Sequence, residues 1–424
     1  VCQRRALELS GVWHTVVVMV EVVAVSGYRS LRDVVVRLGR LTVVTGPNGA
    51  GKSNLYRALR LLSACGQGRV VGALAAEGGL ASCLWAGPAT LGGARRGHPV
   101  EGTIRRTPIS LLLGVAGGEP ADLGYLVDLG IPVQRDSAFD RDPHIKREVV
   151  FTGPVMRPST IVAKRRHGSV DIRDFVGGWR AAEIELPPHR SLLAEYADPG
   201  EAPELWRMRH QLRSWRFYDG FRTDPDAPAR RPQVGTRTTV LADDGTDLAA
   251  AVQTILESGQ PALGRAVADA FDGAELGASC HDGVFDLALR QPGMLRPLRA
   301  AELSDGTLRY LLWAVALLTP EPPPLLVINE PETSLHPSLL PPLARLIAEA
   351  ATQTQAVVVT HSQPLVDELD RAVSSLDSGM PVPPAPGVSP PMDYQVVTLT
   401  KEHGETRVEG QGLLTTPAWE WGRR

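Results

Sequence analysis

Cysteine is scarce in this 424-residue chain: Cys2, Cys65, Cys83 and Cys280 lie far apart and form no CxxC pair. Such spacing argues against a zinc site or a disulfide framework and suits a reducing compartment. Long apolar runs are missing too. The most apolar stretch, GVWHTVVVMVEVVAVSGY, is interrupted by His14 and Glu21, whereas a membrane span needs about 20 apolar residues. It also lacks the small-residue cleavage site of a signal peptide. No excess of one charge is present: the net charge of −3 gives no overall attraction for nucleic acid, so any such binding must come from a local patch. The sequence has no internal repeat and no heptad run long enough for a coiled-coil arm.

What is there describes a globular protein, 43% hydrophobic and 21% charged, longer than a single-core domain usually grows. VEVVAV, RDVVVRL and RLTVVT give three strand signals between residues 20 and 45. A glycine-rich turn and KSNLYRALRLLSA follow, with Leu55, Leu59 and Leu62 on one helical face. Strand, glycine loop and helix in this order open a nucleotide-binding α/β unit. Residues 64–103, rich in Gly and Ala, resist assignment; from RTPISLLLGVAG to STIVAKRRHGSVDIRD the chain reads as strands and hairpins. Residues 190–222 and 246–271 read as helical, and 282–290 as strand. LSDGTLRYLLWAVALL (303–318) is a buried helix, and three prolines at 322–324 stop it and introduce the strand LLVIN. A helix LLPPLARLIAEAA, the strand AVVVT, a proline-rich linker and a hairpin DYQVVTLTKEHGETRVEG complete the chain.

The expected organisation has six parts. Residues 1–18 form a non-core extension ahead of a natural start at Met19; 19–160 form a first, nucleotide-binding lobe and 161–300 an inserted mixed lobe. Residues 301–372 form the C-terminal part of the nucleotide-binding core, 373–393 a linker, and 394–424 a hairpin and tail.

Four segments carry chemistry. GPNGAGKS (46–53) fits GxxxxGK[ST] between a strand ending at Thr45 and a helix starting near Lys52. Gly46, Asn48, Gly49 and Gly51 would turn backbone N–H groups toward phosphate oxygens, aided by the helix N-terminus. Lys52 would reach the β- and γ-phosphates of ATP, the substrate, and the Ser53 hydroxyl would ligate Mg²⁺. LLVINEPE places Glu330 at the end of a buried strand as general base for the attacking water. Asn329 stands where an aspartate is usual, keeping an acceptor for a Mg²⁺-bound water but giving up one negative charge. Glu332 is expected to cap the following turn. Ser304 and Gly306, opening an apolar helix, can form a further anion site or simply cap that helix. His361, ending the AVVVT strand, can hold the γ-phosphate or the water, or be structural.

Together these pieces resemble the ABC-type ATPase head of the RecF/SMC class, and the forms SGYRSLRD, LSDGTLR, NEPETSLHP and VVVTHS are similar to RecF-like ATPases of the AAA_21 type. The resemblance implies a bilobed α/β P-loop NTPase with an inserted mixed α+β lobe. It implies an ATPase in which Ser304 and Gly306 meet the γ-phosphate held by a second copy, so that ATP joins two heads in a homodimer. It also implies Arg29 as a secondary nucleotide contact, and a cytoplasmic protein, its association with the nucleoid left open, acting with DNA in repair or in defence against mobile elements. Asp305 and Thr307 depart from the signature of transporters. No Q-loop glutamine is assigned, Gln67 lying too near Lys52 and Gln134 too far downstream.

For a DNA partner, Lys164, Arg165 and Arg166 at a hairpin tip are the candidate contacts. At that tip plain solvation is as good a reading; RMRHQLRSWRFYDGFR interleaves arginine with Trp215, Phe217 and Tyr218, which suits base and phosphate contact, but an ordinary helix with its aromatics packed inward is the favoured reading. About sixty residues follow His361, with Asp367, Glu368 and Asp370 crowded on one helix. A two-metal nuclease needs carboxylates converging on ions about 4 Å apart, so none is expected here. Two rivals remain: an ABC transporter nucleotide-binding subunit, and a nearly inactive ATP-gated scaffold for a separately encoded nuclease or toxin.

Overall fold

The computed structural model describes residues 19–88, 91–92, 94–96, 110–131, 142–174, 176–378, 392–412 and 414–422. The extension at 1–18, most of the proline-rich linker and Gln134 lie outside the described residues. In chain order the first strands are β1 (Val22–Tyr28), β2 (Leu31–Arg37), β3 (Leu41–Thr45), β4 (Ser110–Ala116), β5 (Leu123–Gly130), β6 (His144–Thr152), β7 (Ile161–Arg166), β8 (Ser169–Arg173) and β9 (Trp179–Glu185). There follow β10 (Arg216–Tyr218), β11 (Gln233–Val234), β12 (Glu275–His281), β13 (Val284–Arg290), β14 (Leu298–Arg299), β15 (Leu325–Asn329), β16 (Gln355–Val359), β17 (Tyr394–Glu402) and β18 (Glu405–Val408). The helices are α1 (Lys52–Gly66), α2 (Val70–Ala76), α3 (Leu80–Cys83), α4 (Leu192–Glu195), α5 (Pro203–Arg213), α6 (Leu248–Glu257), α7 (Ala262–Ala270), α8 (Asp305–Leu317), α9 (Leu340–Ala351) and α10 (Gln363–Ser378).

Two large sheets carry the fold. An antiparallel sheet of eight strands runs β2-β1-β4-β5-β6-β7-β8-β9, and a six-stranded sheet runs β10-β15-β16-β3-β17-β18. In the second, all neighbours from β10 to β17 are parallel, and only β18 turns back. Parallel strands covered on both faces lose the apolar–polar alternation, which is why β15 and β16 read as unbroken apolar runs. Their side chains nevertheless divide. Leu325, Val327, Val357 and Val359 share a core with Leu55, Leu59 and Leu62 of α1 and with Val23, Val25, Leu111 and Leu113 of the antiparallel sheet. Leu326, Ile328 and Val358 join the opposite core with Leu311 and Trp313 of α8 and Leu343 and Ile347 of α9. Helix α1 therefore fills the space between the sheets, and α8 and α9 close the far side. A smaller sheet built on β12 and β13 packs with α6 and α7 into that second core.

The antiparallel sheet continues across residue 160: β7 to β9, placed by the sequence reading in the inserted lobe, extend β6 without a break. One buried ionic hub holds that junction. Glu148 on β6 is 0% exposed and accepts from Tyr125 Oη (2.6 Å), Ser191 Oγ (2.7 Å), the Leu192 N–H (2.7 Å) and Arg165 Nη1 (3.0 Å). Arg165, also 0% exposed, further donates to the carbonyls of Pro187, His167 and Arg190. A buried carboxylate this well satisfied ties β5, β6, β7 and α4 together, because losing any partner leaves a charge stranded in low dielectric.

Arg165 is thus unable to reach a ligand, and its place among the candidate DNA contacts is corrected: the Glu148 charge pulls it inward. Its neighbours differ. Lys164 pairs with Asp171 (3.5 Å) and lies over the Trp179 ring (4.1 Å), while Arg166 is exposed. Arg165→Ala is expected to destabilise the protein by about 3–5 kcal/mol, and Lys164→Ala by about 1 kcal/mol or less, measured by denaturant melts of the two variants.

Candidate functional site

The phosphate loop leaves β3 at Thr45 and enters α1 at Lys52, as the motif requires. Its shape depends on glycine. Gly46, Gly49 and Gly51 have φ of 139°, 78° and 110°. A Cβ on Gly46 would lie 2.1 Å from the Leu399 carbonyl oxygen, and one on Gly51 would lie 2.2 Å from Thr406 Oγ1, whereas Gly49 has open space. The C-terminal hairpin β17–β18 therefore backs the loop directly. Thr406 Oγ1 donates to the Ala50 carbonyl (2.7 Å) and lies 2.7 Å from Ser30 Oγ, which in turn accepts from Asn54 Nδ2 (2.8 Å). Lys52 folds over the loop, Nζ donating to the carbonyls of Gly46 (2.6 Å) and Pro47 (3.2 Å). Burial pulls its pKa below the usual lysine value, and the charges of Glu330 and Glu332 oppose that shift. Ser53 is exposed at the head of α1 and Asn48 on the outer turn of the loop.

The acidic strand and the histidine strand end beside this loop, because β16 lies between β3 and β15. Glu330 follows β15 with a left-handed backbone, φ 47°, its N–H donating to the Val359 carbonyl (2.8 Å). A non-glycine residue held there costs about 1–3 kcal/mol, and such strain gathers at functional positions. His361 Nδ1 stands 3.4 Å from Glu330 Oε1 and 3.5 Å from Glu332 Oε1. Glu332 does more than cap a turn: its carboxylate, 8% exposed, accepts from Thr360 Oγ1 (2.6 Å) and faces His361. Glu332 Oε2 and Asn329 Oδ1 are buried with no hydrogen-bond partner.

The remaining residues fall elsewhere. Ser304 caps α8, accepting from the Thr307 N–H (3.2 Å), and Gly306 approaches the Ser334 carbonyl in the loop after β15. Asp305, the departure from the transporter signature, receives Arg230 Nη2 (2.6 Å), and Arg230 also donates to the carbonyls of Ala300 and Leu303. Arg29 turns away to Glu77 (3.0 Å) and stacks beside Tyr28, so its charge is held by a neighbour of α2. Gln67 is used locally, bonded to Ser63 Oγ (3.1 Å). Trp215 and Tyr218 are buried in the core, so the arginine–aromatic segment packs its aromatics inward.

Sequence reading missed Arg230, Thr406 and Asp219. Only Asp219 had a local signal: RFYD, like LLVINE, is an apolar strand ending in an acid. Its carboxylate Oδ1 accepts from Asn329 Nδ2 at 2.5 Å.

A Mg²⁺ ion with bound phosphates needs only one or two protein oxygens and keeps several waters. The exposed Ser53 hydroxyl and the two unpartnered acceptors on Asn329 and Glu332 fit such an ion, the first as a direct ligand and the others through water.

The AAA_21 family model, described as "AAA domain, putative AbiEii toxin, Type IV TA system", matches residues 41–82 and 180–368, together more than half of the chain. The chain belongs to this family. The AAA_21 match takes in the whole phosphate loop and its helix α1, the acidic strand and His361. No curated protein matches the chain. Among solved structures, the SMC head domain from Thermotoga maritima is 14% identical, covering 93% of this chain and 99% of that one at a TM-score of 0.45. The Smc head domain with an extended coiled coil bound to the C-terminal domain of ScpA, derived from Pyrococcus furiosus, is 12% identical, covering 92% and 95% at a TM-score of 0.46. At that level of similarity neither speaks to what this AAA_21 chain binds. Its fold is that of a P-loop ATPase, with the acidic and histidine strands beside the loop.

Two glycine substitutions separate backbone strain from packing. Gly49→Ala is expected to cost about 1–2 kcal/mol, the strain of a left-handed alanine. Gly46→Ala must also displace the Leu399 carbonyl and is expected to cost more and to weaken nucleotide binding, as read by denaturant melts and by titration with ATP.

Proposed function

We propose that this chain binds ATP with Mg²⁺ and hydrolyses it slowly, two copies holding the nucleotide head to head. One observation carries the reading: Lys52, Glu330, Glu332 and His361 gather at the carboxyl ends of three neighbouring parallel strands, where open α/β sheets bind ligands. The N–H groups from Asn48 to Ser53 and Lys52 would hold the β- and γ-phosphates. Glu330 would accept a hydrogen bond from the attacking water and align it, and His361 would hold the γ-phosphate or that water. Mg²⁺, held by Ser53 and through water by Asn329, would offset the negative charge on the transferred phosphoryl group. Ser304 and Gly306 lie at the start of α8, next to the loop after β15, and would complete the site of the second copy.

A cytoplasmic role with DNA, in repair or in defence, rests on the resemblance to RecF-like ATPases. With Arg165 buried, Lys164 and Arg166 are the contacts left at the β7–β8 turn. The rival scaffold reading is favoured by one observation, asparagine at 329, and requires binding without turnover.

Turnover and oligomeric state test this directly. Lys52→Ala should lose ATP binding. Glu330→Gln should keep it, slow hydrolysis by about 10²–10⁴-fold, and elute as a dimer at saturating ATP–Mg²⁺. A monomeric Glu330→Gln protein would rule out the sandwich, and wild-type binding with no measurable turnover would favour the scaffold. DNA should raise turnover and bind most tightly at low salt; absence of binding there removes the DNA role.

A further inference from the structure

Strands β10 and β15 pair in parallel with Tyr218 opposite Ile328, so Asp219, just past the end of β10, stands beside Asn329, the last residue of β15. Asn329 Nδ2 donates to Asp219 Oδ1 at 2.5 Å. A carboxylate can only accept, so Asp219 dictates which edge of the amide faces it. The Asn329 carbonyl oxygen must then face elsewhere, and it is the buried acceptor left without a partner. The pair thus presents one oriented acceptor on β15 backed by one negative charge on β10. A single aspartate at position 329 would supply the same two things from one side chain.

The pair borders a pocket. Asp219 and Asn329 line a pocket of about 420 Å³ together with Glu330, Asp305 and Arg309. Nor is Asp219 needed to anchor β10, which is already fixed by backbone pairing to β15 and by burial of Trp215 and Tyr218.

We propose that Asp219 is a positioning residue for Asn329 and restores the charge missing from the acidic strand, acting on the metal that accompanies the nucleotide. This inference rests on the ATP-site reading above.

The test is the gain in affinity for a fluorescent ADP analogue when Mg²⁺ replaces EDTA, compared across wild type, Lys52→Ala, Asp219→Asn, Asn329→Asp and the double variant Asp219→Asn/Asn329→Asp. Asp219→Asn is close to isosteric and should keep its affinity in EDTA while losing about 10–100-fold of the Mg²⁺-dependent gain. Asn329→Asp sets two carboxylates against each other and should lose gain as well. The double variant, with acceptor and donor exchanged, should recover most of it. If Asp219→Asn keeps the full gain, loses affinity in EDTA equally, or is not rescued by the exchange, the inference fails alone. If wild type shows no binding, or Lys52→Ala binds as well, the ATP-site reading fails and takes this inference with it.

Discussion

The site depends on how closely the last hairpin of the chain approaches the phosphate loop. Strand β3, which delivers the loop, runs between β16 and β17, so neither of its neighbours is near it in sequence. Gly46 passes against the carbonyl of Leu399, and Gly51 against the hydroxyl of Thr406. Each contact is too short for any side chain, and the second is locked by the Thr406 hydroxyl, which donates to the Ala50 carbonyl and accepts from Ser30 Oγ at the β1–β2 turn. The motif is local, but its left-handed geometry is imposed by residues more than three hundred positions away. Because β17 pairs along the whole of β3, the hairpin belongs to the sheet that delivers the loop.

How much of this was legible follows from which forces are local. The strand–loop–helix unit, the buried helix α8 and the strands β15 and β16 were readable, because apolar periodicity, glycine spacing and proline stops act within a dozen residues. The grouping of Lys52 with Glu330 and His361 followed from motif order and from the resemblance. Partnerships set by tertiary contact were not readable. Arg165 sits in a run of three basic residues that looks like a solvated tip, and only the burial of Glu148 turns it inward. Arg230 and Thr406 carry no pattern at all. Glu332 looked like a turn cap because its sequence neighbours form one, yet Thr360 and His361, from the adjacent strand end, draw its carboxylate to the site.

The altered signature has a physical account of the same kind. Asp305 is fixed by Arg230, whose guanidinium also gathers the carbonyls just ahead of α8. One turn further, Arg309 donates to the Thr333 carbonyl and to Phe221 and Thr223, joining α8 both to the loop after β15 and to the segment after β10. Burial lowers the pKa of Arg309, with Asp305 opposing the shift. The start of α8 is thus tied by two arginines to the segments around it, Arg309 reaching the loop after β15. Ser304 and Gly306, at the head of that helix, are thereby joined through Arg309 and Thr333 to Glu330, whose carbonyl accepts from the Thr333 N–H (3.1 Å).

That linkage gives the left-handed backbone at Glu330 a purpose. In a regular strand, Asn329 and Glu330 would point to opposite faces of the sheet. The positive φ breaks the alternation at the point where the strand ends, and the two side chains divide between edges instead of faces. Asn329 turns to β10 and meets Asp219; Glu330 turns to the end of β16 and meets His361. Because β15 has a neighbour on each side, both edges can be furnished with partners, and the strain at one residue places an oriented amide and a half-exposed carboxylate at the same sheet end. Asparagine at 329 is then no defect of the acidic strand. It is the half of a two-strand acceptor that β15 can supply, and the charge resides on the strand beside it.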